Sequence, residues 1–339
     1  MNGMRKALAA LVVVAVGLTT GCTLPRPPGA EPLRYRDQVF NTVTVTSNIQ
    51  YGTAPDANNQ PVALRLDLYR PPASDTRTSR PALVWVHGGG FSGGDKTNVV
   101  PVDVANTFAK LGYVVVSINY RLLAPSNCAS NPSQSACTLA ALEAQHDAQA
   151  AVRWLRANAS TYGIDSSRIG IGGESAGGIT ATLVGLHSED VGTSGNPGFP
   201  STVSGFVSVS GGLPDGLFAS PGDAFGLFFH GTADTVVSSN WSNATVMKML
   251  QAGVPAWLEP QQGAGHVPWG EYRTLYLQQS NYFLYLALDL AHAAGQPASA
   301  ARASERQLER LATSQAAKQL LTQHPKLKAV QKRARQLAR

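Results

Sequence analysis

Apolar residues fall in short runs along most of the chain, bounded by glycine, proline or polar clusters and followed by stretches with helical spacing. Runs of this kind read as strands buried on both faces. They predict strands at 83–86, 114–119, 169–172, 206–210, 227–229 and 256–259. Two earlier segments, 42–46 and 64–69, alternate apolar with polar positions and read as strands with one solvated face. Helices are expected at 102–111, 143–159, 176–186, 240–252 and 271–294. Strands that alternate with helices call for an α/β fold: a mostly parallel, twisted sheet of about eight strands with helices on both faces. The early strands form its antiparallel edge.

Composition supports one large core, since the 339 residues are 43% hydrophobic and only 14% charged. The net charge of +6 hides an asymmetry. Residues 301–339 hold ten Lys/Arg and two Asp/Glu, or +8, so residues 1–300 sum to −2. The main body, assigned to 36–296, is therefore not basic, whereas the tail at 297–339 is. Leu308, Leu311 and Ala312, then Leu327, Val330 and Leu337 beyond Pro325, allow two amphipathic helices or a solvated, partly disordered tail. Its charge suits an anionic surface, phospholipid headgroups or cell-wall polymer, rather than nucleic acid.

At the amino end, Arg5 and Lys6 precede the twelve mainly apolar residues 7–18 and then Thr19-Thr20-Gly21-Cys22. This predicts an export signal over 1–21, too short to span a membrane. Gly21-Cys22 resembles a bacterial lipoprotein cleavage box, which implies a lipidated Cys22 as the mature first residue and a membrane-anchored protein of the cell envelope. The alternative is a secreted or periplasmic soluble protein. Prolines at 25, 27, 28 and 32 make 22–35 a semi-rigid tether. With Cys22 consumed, Cys128 and Cys137 remain of the three cysteines, and export permits a disulfide between them. No Cys or His spacing suggests a metal site.

Four segments carry candidate chemistry. Gly173-Glu174-Ser175-Ala176-Gly177 follows the apolar run of the fifth strand and opens a helical stretch, as a nucleophile elbow does. A short Gly/Ser pattern also arises by chance in loops, so its weight depends on the others. His87-Gly88-Gly89-Gly90-Phe91 follows the third strand and offers backbone N–H groups to one point. Against a phosphate cradle, no Gly-Lys-Ser/Thr ending follows the glycines. An apolar strand ends at His230-Gly231-Thr232-Ala233-Asp234, and Gly263-Ala264-Gly265-His266 is a glycine-rich loop bearing a histidine.

In order, Ser175, Asp234 and His266 repeat the serine, acid, histidine sequence of the α/β-hydrolases. The chain resembles that superfamily over roughly residues 60–290, and most closely the carboxylesterases related to hormone-sensitive lipase and to bacterial feruloyl and acetyl esterases. Besides the elbow and the glycine triplet, the likeness rests on Asn119-Tyr120-Arg121-Leu122, Asp147 with Ala151-Val152-Arg153-Trp154-Leu155, Tyr162-Gly163-Ile164-Asp165, and His230-Gly231-Thr232-Ala233-Asp234. It implies Ser175 as nucleophile, His266 as general base and acid, Asp234 as the orienting carboxylate, and the N–H groups of Gly89, Gly90 and Ala176 as oxyanion donors.

Other residues compete for these roles. Asp215, Asp223 and Glu271 are rival acids, but the first two lack a preceding apolar run and the third breaks the order. His87 and His230 end strands beside glycines, where they brace loops; His146, His187, His292 and His324 lack a glycine-rich loop on both sides. Glu174 reads as a structural carboxylate under the elbow and Asp147 as a helix residue that holds loops. Phe91, Val267 and Trp269 flank the candidate loops and are assigned to the acyl pocket. Only 211–224 separates two of the strands, too little for a helical lid, so the cleft is expected to be open.

The resemblance thus implies a serine carboxylic ester hydrolase without a cofactor, acting through an acyl-enzyme on short-acyl or aryl esters, small or polymer-borne. A prolyl-oligopeptidase-like serine peptidase and a non-catalytic binding protein on the same fold are the alternatives.

Overall fold

The computed structural model describes residues 23–56, 58–123, 135–214 and 219–296, together with 299, 302–304 and 306–307. Its frame is one sheet of eight strands: β1 (Thr44–Pro55), β2 (Pro61–Arg70), β3 (Arg80–Val86), β4 (Val114–Ile118), β5 (Ile164–Glu174), β6 (Gly205–Val209), β7 (Phe225–Gly231) and β8 (Ala256–Gln261). The spatial order is β1-β2-β4-β3-β5-β6-β7-β8. β1 and β2 form an antiparallel hairpin, β2 pairs antiparallel with β4, and the pairs from β4 through β8 are parallel.

The helices are α1 (Val99–Leu111), α2 (Ser135–Ala157), α3 (Ala159–Tyr162), α4 (Ala176–Leu186), α5 (Ser239–Gln251), α6 (Trp269–Ala287) and α7 (Leu290–Ala293). Alternate strand residues feed two cores. Val84, Val116, Ile171, Phe206 and Phe228 face α2, α4 and α5. Leu83, Trp85, Val115, Val207, Leu227 and Phe229 face α1, α6 and α7. This two-sided burial is why the inner strands are apolar throughout. The glycines of β5 are packing residues: a Cβ on Gly172 would come within 2.5 Å of the Trp85 ring, and one on Gly170 within 2.9 Å of Leu284.

Three elements differ most from the sequence reading. β1 runs to Pro55, far beyond 46, because its mostly solvated edge position tolerates the polar residues that hid it. α2 begins at Ser135 rather than 143. The helix expected over 271–294 breaks where Asp289 adopts a left-handed φ of 51°, which separates α6 from α7.

The proline-rich segment is not a free tether. Leu24, Leu33 and Tyr35 are buried in the core under α1 and α6. The Gln279 side chain on α6 holds Leu24 at both ends, accepting from its N–H and donating to its carbonyl. Arg36 donates to the carbonyls of Pro27 and Gly29, and Asn281 to that of Arg36. Apolar side chains on either side of the prolines outweigh the proline stiffness on which the tether reading rests. At the other end, Gln307 donates to the Pro25 carbonyl. Residues 1–21, Cys22, Cys128 and the basic tail past 307 lie outside the described residues. Among the described residues no helix is long and apolar enough to cross a membrane.

Candidate active site

β5 ends at Glu174, and α4 starts at Ala176. Ser175 between them has φ 55° and ψ −120°, a conformation that costs a non-glycine residue about 1–3 kcal/mol. Glycine on either side makes this turn sterically possible, since a Cβ on Gly173 would lie 2.4 Å from Gly177 carbon and one on Gly177 would lie 2.0 Å from the Val86 oxygen. Ser175 N–H donates to the Val209 carbonyl at 2.8 Å, which fixes the elbow to β6.

The loops after β7 and β8 bring the other two groups to it. They close on each other at Gly231, where a Cβ would strike the carbonyl oxygens of Gly265 and Ala264 at 2.2 and 2.3 Å. His266 Nε2 lies 2.8 Å from Ser175 Oγ, and its Nδ1 lies 2.8 Å from Asp234 Oδ2. The other carboxylate oxygen of Asp234 accepts the backbone N–H groups of Val236 and Val237 at 2.8 and 3.0 Å. Burial by itself raises the Asp234 carboxyl; the His266 hydrogen bond and the two backbone donors outweigh it and hold the pKa below the usual carboxylate value. An ionised carboxylate only accepts, so Nδ1 of His266 carries the proton and Nε2 is left to accept the Ser175 hydroxyl.

The glycine triplet abuts this centre. A Cβ on Gly88 would stand 3.2 Å from Ser175 Cβ. Gly88 N–H is spent on Glu174 Oε1 at 2.9 Å, while Trp85 Nε1 donates to Glu174 Oε2 at 2.7 Å. Full burial pushes the Glu174 carboxyl up to about 8 against those two donors. Gly89 and Gly90 follow at φ 128° and 63°, and Ala176 is the first residue of α4, whose N–H has no intrahelical acceptor.

Of the rival acids, Asp223 accepts from Ser220 N–H in its own turn, Glu271 sits exposed in the first turn of α6, and Asp215 lies outside the described residues. His87 stacks on Tyr120 with centroids 4.5 Å apart, and Asp147 grips Arg121 at 2.8–3.1 Å, so both hold loops as read. Phe91 and Trp269 are instead packing residues. Phe91 is buried against Tyr120, and Trp269 against Trp85 and Tyr276 with its indole on Asp103. Of the three assigned to the acyl pocket, only half-buried Val267 keeps appreciable surface, and its N–H donates to Ser210 Oγ at 3.0 Å. Periodicity and motif did not reveal that His230 also reaches Asp234, with Nε2 3.2 Å from Oδ2. Among the described residues no group of three or more His, Cys, Asp or Glu could hold a metal ion.

Residues 66–202 match the BD-FAE family model, a span that includes the glycine triplet and Ser175 but stops short of Asp234 and His266. The chain is 36% identical over 112 residues to a fumonisin B1 esterase of Sphingopyxis macrogoltabida, covering 31% of this chain and 19% of that protein. It is 35% identical over 125 residues to carboxylesterase NlhH of Mycobacterium tuberculosis, covering 37% and 34%. The chain therefore spans about a third or less of these two relatives' lengths. The butyrate-bound structure of esterase Est2 from Thermogutta terrifontis superposes with a TM-score of 0.57 at 23% identity, over 74% of this chain and 96% of that one. Strand order, elbow and structural likeness together show the α/β-hydrolase fold, and the sequence is similar to carboxylesterases.

Proposed function

We propose that the protein is an exported, lipid-anchored serine carboxylic ester hydrolase acting on short-acyl or aryl esters. The observation that carries this reading is the unbroken relay from Ser175 Oγ through His266 to a buried Asp234. Ser175 Oγ attacks the ester carbonyl while His266 Nε2 takes its proton. The oxyanion is met by the N–H groups of Gly89, Gly90 and Ala176, and the ionised Asp234 steadies the imidazolium. Collapse breaks the C–O bond, and the departing alkoxide takes the proton from His266. Water then attacks the acyl-Ser175 carbonyl, giving its proton to His266; release of the acid returns that proton to Ser175. The reaction uses no cofactor.

Two further observations support short acyl groups. No helix occurs at 211–214 or 219–224, so the described part of the β6–β7 connection holds no lid element. The similar Est2 fold holds butyrate in its own structure.

Export and lipidation at Cys22 belong to the same reading, supported by Arg5, Lys6 and the apolar stretch 7–18. With Leu24 already seated on α6, an acyl chain on Cys22 would hold the body against the bilayer rather than at tether length. The basic tail would add attraction to anionic headgroups. A Cys128–Cys137 disulfide fits an exported chain and is supported by the bonded state of Cys137.

The test is hydrolysis of p-nitrophenyl acetate, butyrate and octanoate by wild type and by S175A. Turnover that peaks at the short esters and is lost in S175A is expected. Equal turnover by S175A, or cleavage of prolyl peptides instead of esters, overturns the reading.

A further inference from the structure

His230 stands at the end of β7 with its side chain buried, and both ring nitrogens are engaged. Nε2 faces two acceptors, the Val237 carbonyl at 2.9 Å and Asp234 Oδ2 at 3.2 Å, so it carries a proton and donates. Nδ1 lies 2.6 Å from Ser242 Oγ on α5, and that hydroxyl reaches the Gly211 carbonyl after β6 at 2.5 Å. The titratable groups about the ring are Asp234 and, beyond it, His266; α5 and the loop after β6 present the uncharged Ser242 and Gly211. Asp234 Oδ2 is thus shared by two histidines, His266 at 2.8 Å and His230 at 3.2 Å.

We propose that His230 is a positioning residue for the hydrolytic reaction, acting through Asp234. This rests on the triad reading above. A carboxylate oxygen that already accepts one N–H has less electron density for a second, so His230 weakens the pull of Asp234 on the His266 imidazolium. It also stops the carboxylate from rotating, since Oδ1 is held by two backbone donors and Oδ2 by two rings. His266 is thus kept aligned on Ser175 while it shares Asp234 Oδ2 with His230.

The experiment compares wild type, H230L and H230Q by the pH profile of kcat/KM and by NMR titration of the His266 ring, with thermal melting as the control for folding. In H230L the competing donor is gone, so the His266 titration and the acid limb of kcat/KM move up by about half a pH unit, or roughly threefold less activity below the limb. H230Q offers an amide N–H at a similar reach and brings both back towards wild type. If H230L does not fold, S242A carries the test: it leaves the ring in place without its Nδ1 partner, and a smaller upward move is required. An unmoved His266 titration in every folded variant overturns the proposal, even where melting temperatures fall. The NMR readout needs no substrate, so it separates this outcome from failure of the esterase reading, which shows as wild-type turnover unaffected by S175A.

Discussion

Glu174 Oε1 accepts the backbone N–H of Gly88 at 2.9 Å, which ties the residue before Ser175 to the first glycine of the triplet. The contact spans β5 and β3, whose registers place Gly173 beside Val86. One buried carboxyl therefore sets the distance between Ser175 and the glycine loop.

The state of that carboxyl predicts a pH dependence of stability. In the fold it titrates near 8 against an ordinary value of 4.5, so between those values the native state binds more protons than the unfolded one. Its contribution to stability is then greatest at low pH and is lost as pH rises through that window, by an amount on the order of a few kcal/mol. The melting temperature of wild type should fall from pH 5 to pH 9, and E174Q should flatten the slope. An identical slope in both would remove Glu174 as its source.

D234N should keep the shape of the loop and lose the chemistry. An amide in place of the carboxylate no longer selects the Nδ1–H tautomer of His266 or balances its charge, so kcat should fall about 10³–10⁴-fold. Steady-state hydrolysis of p-nitrophenyl butyrate reads this, with the circular dichroism spectrum unchanged.

G177A should damage the fold rather than the chemistry alone. The new Cβ would sit 2.0 Å from the Val86 oxygen, a backbone atom that cannot swing aside. A loss of at least about 2 kcal/mol is expected, read as a lowered urea midpoint at unchanged slope.

R121M tests the buried pair behind the loops. Asp147 is fully buried and receives Arg121 Nε and Nη2 together with the Ser194 hydroxyl. Removal of the guanidinium leaves a buried carboxylate without its cation, at a cost of about 3–5 kcal/mol. R121M with D147L should recover a good part of that loss in chemical denaturation.

Local chemistry was legible where a short segment dictates its own geometry. Gly-x-Ser-x-Gly encodes the strained turn because only glycine tolerates the closeness of Val86 and Gly177, and apolar runs encode inner strands because both faces are covered. Ser175, Asp234 and His266 could be named from their loops for the same reason. Where burial depends on distant partners, the residues misled. Leu24 and Leu33 flank the prolines and read as part of a tether until Gln279 on α6 is seen to hold Leu24 and Asn281 the Arg36 carbonyl, and Phe91 and Trp269 look like pocket walls until Tyr120 and Trp85 are seen to cover them.

The sequence by itself determined the class of fold, the order of the chemical groups and the residues that could carry them, since these depend on periodicity and on steric rules that act within a few residues. Only the tertiary structure decided that Asp234 serves two histidines and that Glu174 grips Gly88. The pairs Asp234–His266 and Glu174–Gly88 join residues 32 and 86 positions apart, and such distances are set by strand order and register, which no local pattern records.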